Sequence, residues 1–127
     1  MLKGIDPRLN ADVLYALRAM GHGDVLAVVD MNFPAAAIAS KTAYGELLRM
    51  ENLTAGDALE AMLSLMPLDT FVSDFAARME AAGDASKVAG VQVEALAAID
   101  AAEGRPRPMG SVGRFDFYDK AASAFAV

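Results

Sequence analysis

Cysteine is absent from the chain, and histidine occurs once, at position 22. Without thiols there can be no disulfide and no thiolate metal site, and one imidazole cannot build an all-histidine zinc site within a subunit. Any metal would have to be held by carboxylates, and none is expected. Basic charge is also scarce. Eleven Lys and Arg face 17 Asp and Glu, giving a net charge of −6 and a pI near 4.6. Such a surface repels phosphate backbones and anionic membranes, so neither nucleic acid nor membrane is an expected partner. No apolar run approaches the roughly 20 residues of a membrane span, and the opening MLKGIDPRLN is too polar for a secretory signal. The expectation is a soluble, cytoplasmic protein.

What is present is a chain of 127 residues, 55% hydrophobic, enough for one domain with a real core and too short for two ordinary ones. A mean hydropathy of +0.31 in so small an acidic domain points weakly to apolar surface buried between subunits, although alanine-rich helices raise that figure.

Helix signals are the clearest. Asn10 precedes Val13, Leu14, Leu17 and Met20 at helical spacing, with Gly21 just beyond, which predicts a helix over 11–20. Thr54 with Asp57 reads as a capping box for a helix over 55–66, stopped by Pro67. Val93, Leu96 and Ile99 mark a helix over 91–103 that Gly104 ends, and Arg105–Pro108 reads as a connecting loop. A short helix is expected over 117–122. Val25–Val29 is a β-branched apolar run between turn residues and reads as a buried strand, with weaker strand signals at 47–50, 76–80 and the closing Phe125-Ala126-Val127. Residues 34–40 fit a helical turn or a loop. Alternating strands and helices predict an α/β domain in three layers, α/β/α, around a mostly parallel sheet. The chain stops on an apolar, strand-like triplet, and a further C-terminal strand is expected to be missing from the single domain spanning 1–127.

His22 lies in Gly21-His22-Gly23-Asp24, where flanking glycines allow a sharp turn and leave the ring accessible. Imidazole ordinarily titrates near about pH 6.5, which suits proton transfer in either direction. Asp24 or Asp30 is the expected partner fixing its tautomer. The same ring at a helix end could instead serve only as a cap. Asp30 closes the apolar run at 25–29, where open α/β sheets place ligand groups, though a turn residue ahead of Asn32 and Pro34 would look the same. Arg114 stands among Gly113, Phe115 and Phe117 and could fork onto hydroxyls or a carboxylate while rings stack on a sugar. A plain surface arginine is the commoner outcome. Tyr118 could donate its hydroxyl or merely pack. The methionines of the helix at 55–66 read as core. No phosphate-binding glycine loop and no serine or cysteine nucleophile motif is present.

Met1-Leu2-Lys3, Gly21-His22-Gly23-Asp24 and Asp30 with Asn32-Phe33-Pro34 resemble the opening of the L-fucose mutarotase and D-ribose pyranase family. Pro67-Leu68-Asp69, Arg114-Phe115-Asp116-Phe117-Tyr118, Lys120-Ala121-Ala122 and Ala124-Phe125-Ala126-Val127 resemble its fucose branch, so the likeness runs along essentially the whole chain. The resemblance implies interconversion of sugar anomers without a cofactor, His22 as proton donor, and Asp30 and Arg114 as sugar-binding residues. It implies a monosaccharide partner and a homo-oligomer, a decamer in the first instance, with sites near subunit boundaries. Family members carry a further strand, a turn and a sugar-contacting Tyr-Gly-Asn segment that this sequence lacks. D-ribose pyranase activity and a non-catalytic sugar-binding subunit are the competing expectations.

Overall fold

The computed structural model describes residues 2–127, so Met1 of the opening triplet lies outside the described residues. Helix α1 runs Ala11–Ala19, and the Asn10 side chain accepts the Val13 amide at 3.0 Å, satisfying one of the free donors of the first turn. Helix α2, Ala35–Ala39, resolves the alanine-rich stretch as a short helix. Helix α3, Ala55–Leu63, carries the capping box in full: Thr54 Oγ1 accepts the Asp57 amide and Asp57 Oδ2 accepts the Thr54 amide. It ends at Leu63 rather than Met66. Pro67 disfavours helical backbone at the residue before it, and the amides of Leu65 and Met66 both turn onto the Met62 carbonyl.

Strand β1, Ala77–Met79, and strand β2, Gly110–Val112, pair in parallel, joined through helix α4, Gly90–Glu103. Strand β2 follows a loop where no strand is expected from sequence, since Gly-Ser-Val carries no periodicity of its own. Gly104 ends α4 with φ +67°, the left-handed backbone that glycine adopts at little cost. Helix α5, Arg114–Ala122, starts at Arg114 and not at Phe117, with Asp116 in the first turn and Lys120 in the last, each favourable to the helix dipole.

The predicted layers are visible in how residues 26–29 alternate. Leu26 and Val28 pack into a core with Leu9, Val13, Ala58, Ala61 and Met62 from the α1 and α3 side. Ala27 and Val29 pack into a second core with Ile38, Ala39 and Ala121 from the α2 and α5 side. That period of two is the geometry of an extended middle layer between two helical layers. Backbone bonds join it: Leu26 bridges Ala126 in parallel, the Ala27 amide donates to the Ala126 carbonyl, and the Leu48 amide donates to the Val127 carbonyl. The 25–29 run is thus extended and paired at Leu26 without forming a full strand, and Val25 is exposed where a buried residue is expected. Residues 47–50 form no strand, because one bond to Val127 is their tie to the layer. Among the described residues no helix is long and apolar enough to cross a membrane.

Candidate active site

Beyond the end of α1 the chain reverses at once. The Gly21 amide donates to Asp24 Oδ2 at 2.8 Å while the Asp24 amide donates back to the Gly21 carbonyl, a reciprocal clasp that pushes His22 outward. The His22 side chain is 80% exposed. Gly23 has φ +83°, so an L side chain there would be strained, and this backbone aims its amide at a carboxylate from far along the chain. That carboxylate is Asp69, on the segment after α3. Its Oδ2 accepts the Gly23 amide at 3.1 Å and lies 3.3 Å from His22 Nδ1, while Oδ1 accepts the Phe71 amide at 3.3 Å.

Asp69 therefore takes the orienting role expected of Asp24 or Asp30. Asp24 is occupied by the turn, and Asp30 Oδ1 accepts the Asn32 amide at 2.9 Å. The physical reason is tertiary: α1 and α3 pack on a shared core, which brings the segment after α3 beside the end of α1. Burial disfavours the Asp69 charge, but the amides of Gly23 and Phe71 and the His22 ring together outweigh it and hold the carboxyl below its ordinary range. Asp69 is thus an anion at neutral pH. With a proton on Nδ1 the ring donates to it, leaving Nε2 free to exchange protons with a ligand. Phe71 meets the imidazole edge-on, centroids 5.4 Å apart at 81°, and with Gly23 and Val72 these residues line an open cleft of about 440 Å³.

Arg114 opens α5, its guanidinium 5.9 Å from the Tyr118 ring centroid, in a second cleft of about 520 Å³ shared with Phe115, Tyr118 and Asp119. Asp30 lines neither cleft, but the turn it opens, closed by the Phe33 amide on the Asp30 carbonyl at 3.1 Å, carries Phe33, whose ring lies 4.8 Å from Tyr118 and 5.8 Å from Phe117. The fold thus gathers the Asp30 turn and the Arg114 helix into one neighbourhood and gives His22 a separate cleft lined by other residues.

Residues 3–127 match the model of the RbsD / FucU transport protein family. The chain belongs to that family. An RbsD / FucU chain from Homo sapiens, fucose mutarotase, is 38% identical over 130 residues, covering 99% of this chain and 82% of that one. Among solved structures, a protein provisionally assigned to sugar binding is 50% identical with a TM-score of 0.96, over 100% of this chain and 84% of the other. The fucose mutarotase of Streptococcus pneumoniae, solved in complex with L-fucose, is 29% identical with a TM-score of 0.81, over 98% and 85%. The RbsD / FucU fold thus agrees with the α/β layers described above. Sequence reasoning singles out His22, Asp30 and Arg114 but not Asp69 and Phe71, which share the His22 cleft. The signal for Asp69 lay in the Pro67-Leu68-Asp69 motif, while Phe71 stands in a stretch without periodicity.

Proposed function

We propose that this protein is a mutarotase that interconverts the α and β anomers of L-fucose, an isomerase working by general acid and base catalysis in the cytoplasm. The carrying observation is the exposed His22 ring held at 3.3 Å by an ionised Asp69 in an open cleft. The fucose mutarotases among its relatives support that reading and the choice of sugar.

Ring opening removes the proton from the anomeric hydroxyl and delivers one to the ring oxygen. The C1–O5 bond breaks, its electron pair goes to O5, and C1 becomes an aldehyde. Rotation about C1–C2 and closure on the opposite face complete the exchange, with no net change in protons or electrons. His22 is the proton-moving group, Asp69 orients it, and Asp30 and Arg114 bind sugar hydroxyls so that the proton path stays short. The chemistry draws on no cofactor.

The separate clefts around His22 and Arg114, with Met31 95% exposed beside Asp30, support a homo-oligomer in which copies complete one another's sites, and the family resemblance makes a decamer the first form to test. A monomer by light scattering overturns that part. The provisional sugar-binding assignment of the 50% identical structure favours a second reading, a binding subunit without turnover. Saturation transfer between the anomeric protons of L-fucose, with D-ribose beside it, separates these. Faster fucose exchange is expected. Faster ribose exchange alone makes the protein a ribose pyranase, and sugar binding without exchange makes it the binding subunit.

A further inference from the structure

We infer that Phe71 and Val72 form the subsite for the C6 methyl group of a 6-deoxyhexose and set the preference for such a sugar over its 6-hydroxy counterpart. This rests on the mutarotase reading above and deepens it. The Phe71 side belongs to a residue 87% exposed, an unusual amount of aromatic surface to leave in water, and Val72 beside it is 42% exposed. The backbone that carries the ring is pinned. Its own amide is bonded to Asp69 Oδ1 and the Val72 amide reaches the Asp69 carbonyl, while Asp69 Oδ2 holds the His22 turn. One residue therefore fixes the distance between the proton-moving group and the apolar wall.

The cleft is two-sided in consequence. His22 and Asp69 supply its side-chain polar atoms, and the Gly23 amide is already committed to Asp69. Phe71 and Val72 contribute carbon surface. L-fucose has the same division, with hydroxyls and an anomeric centre on one part of the ring and a bare methyl on C5. With the anomeric centre at His22 and the methyl on Phe71 and Val72, apolar area is covered on both partners. L-galactose, identical in configuration but carrying a C6 hydroxyl, would set that hydroxyl against a wall that cannot hydrogen-bond it.

Discrimination of this kind is roughly 10- to 200-fold for a small apolar group in an enclosed pocket, and an open cleft, where a C6 hydroxyl keeps some water, sits at the low end of that range. The test compares kcat/KM for anomeric exchange of L-fucose and L-galactose by saturation transfer, in the wild-type protein, Phe71→Ala and Val72→Thr. The wild type is expected to favour L-fucose by about tenfold or more. Phe71→Ala should bring that ratio close to one, chiefly by slowing L-fucose, and Val72→Thr should narrow it by accepting L-galactose. Equal rates for the two sugars in the wild type overturn the inference. So does a proportional loss for both sugars in both variants, with the ratio intact. A wild type that accelerates neither sugar overturns the mutarotase reading itself, and this inference with it.

Discussion

The two ends of α1 are built for opposite purposes. At its N-terminal end Asn10 caps the helix, Arg8 reaches Asp6 at 2.7 Å and Glu60 at 3.0 Å, and Leu9 and Val13 are buried against Ala58, Ala61 and Met62. At its C-terminal end His22 and Phe71 stand in solvent, and Asp69 carries the hydrogen bonds that join their segments. Burial there has been given up for accessible polar and aromatic groups. Substitutions at one end should therefore alter stability and leave chemistry alone, and substitutions at the other should do the reverse.

His22→Gln gives the sharpest break. It should slow anomer exchange by about 10²- to 10⁴-fold, the usual share of one general acid–base group, while the melting temperature stays within a degree or so because the side chain is exposed. An unchanged exchange rate would remove His22 from the mechanism. Val13→Ala is the mirror image. Val13 is 1% exposed, and losing its two methyl groups should cost about 2 kcal/mol, lowering the melting temperature by several degrees without altering exchange per folded molecule. A fall in exchange equal to the fall at His22 would show that the two ends are not separable.

Asp69→Asn probes the residue that joins the His22 turn to the Phe71 segment. Asparagine keeps the size and one acceptor oxygen, so the Gly23 amide can stay bonded, but the charge facing the imidazole is lost. Exchange should drop roughly tenfold, the scale of one charge-assisted hydrogen bond, and the acid limb that Asp69 protonation sets in the wild-type pH profile of kcat should be absent. Because Asp69 sits below the ordinary carboxylate range, the wild-type profile should show no loss from its protonation until well into acid. A rate and profile identical to wild type would make Asp69 a structural residue only.

How far the sequence led follows the same division. The capped end was legible because its information is local: Asn10 to Val13 and Thr54 to Asp57 are three-residue relations that a reader can see on the chain. The glycine at 104 marked the end of α4 for the same reason. His22, Asp30 and Arg114 stand out through motifs as candidates, and the fold sets His22 in one cleft and Arg114 in the other. The His22 partner was not legible, because Asp69 is separated from it by 47 positions and meets it only after α1 and α3 have packed. Strand β2 was hidden likewise, since three residues acquire extended pairing from Ala77–Met79 and show no pattern alone. Helix α5 begins three residues ahead of the expected Phe117, because Asp116 serves as its first-turn acid and Arg114 opens it.

The smallest effect is expected at the stable end, in acid. The Arg8 side chain, and then its amide, hold Asp6 down to about 2 against the opposing cost of burial, below the ordinary 3.8. A depressed carboxyl stabilises the folded chain fully above its unfolded value and loses that contribution as pH falls through its folded one. The Asp6 share of stability should thus be whole at pH 5 or above, and decline between 3.8 and about 2. Asp57, Asp69 and Asp84 are lowered too, so the total slope of melting temperature in this range belongs to several groups. Comparing wild type with Asp6→Asn isolates the one. The variant should melt a few degrees lower at neutral pH at most, with the gap closing as pH approaches about 2 and shrinking with salt, since the pair is partly exposed. Parallel curves for the two proteins would mean that Arg8 holds the segment through Glu60 and Asp57 and needs no charge on Asp6.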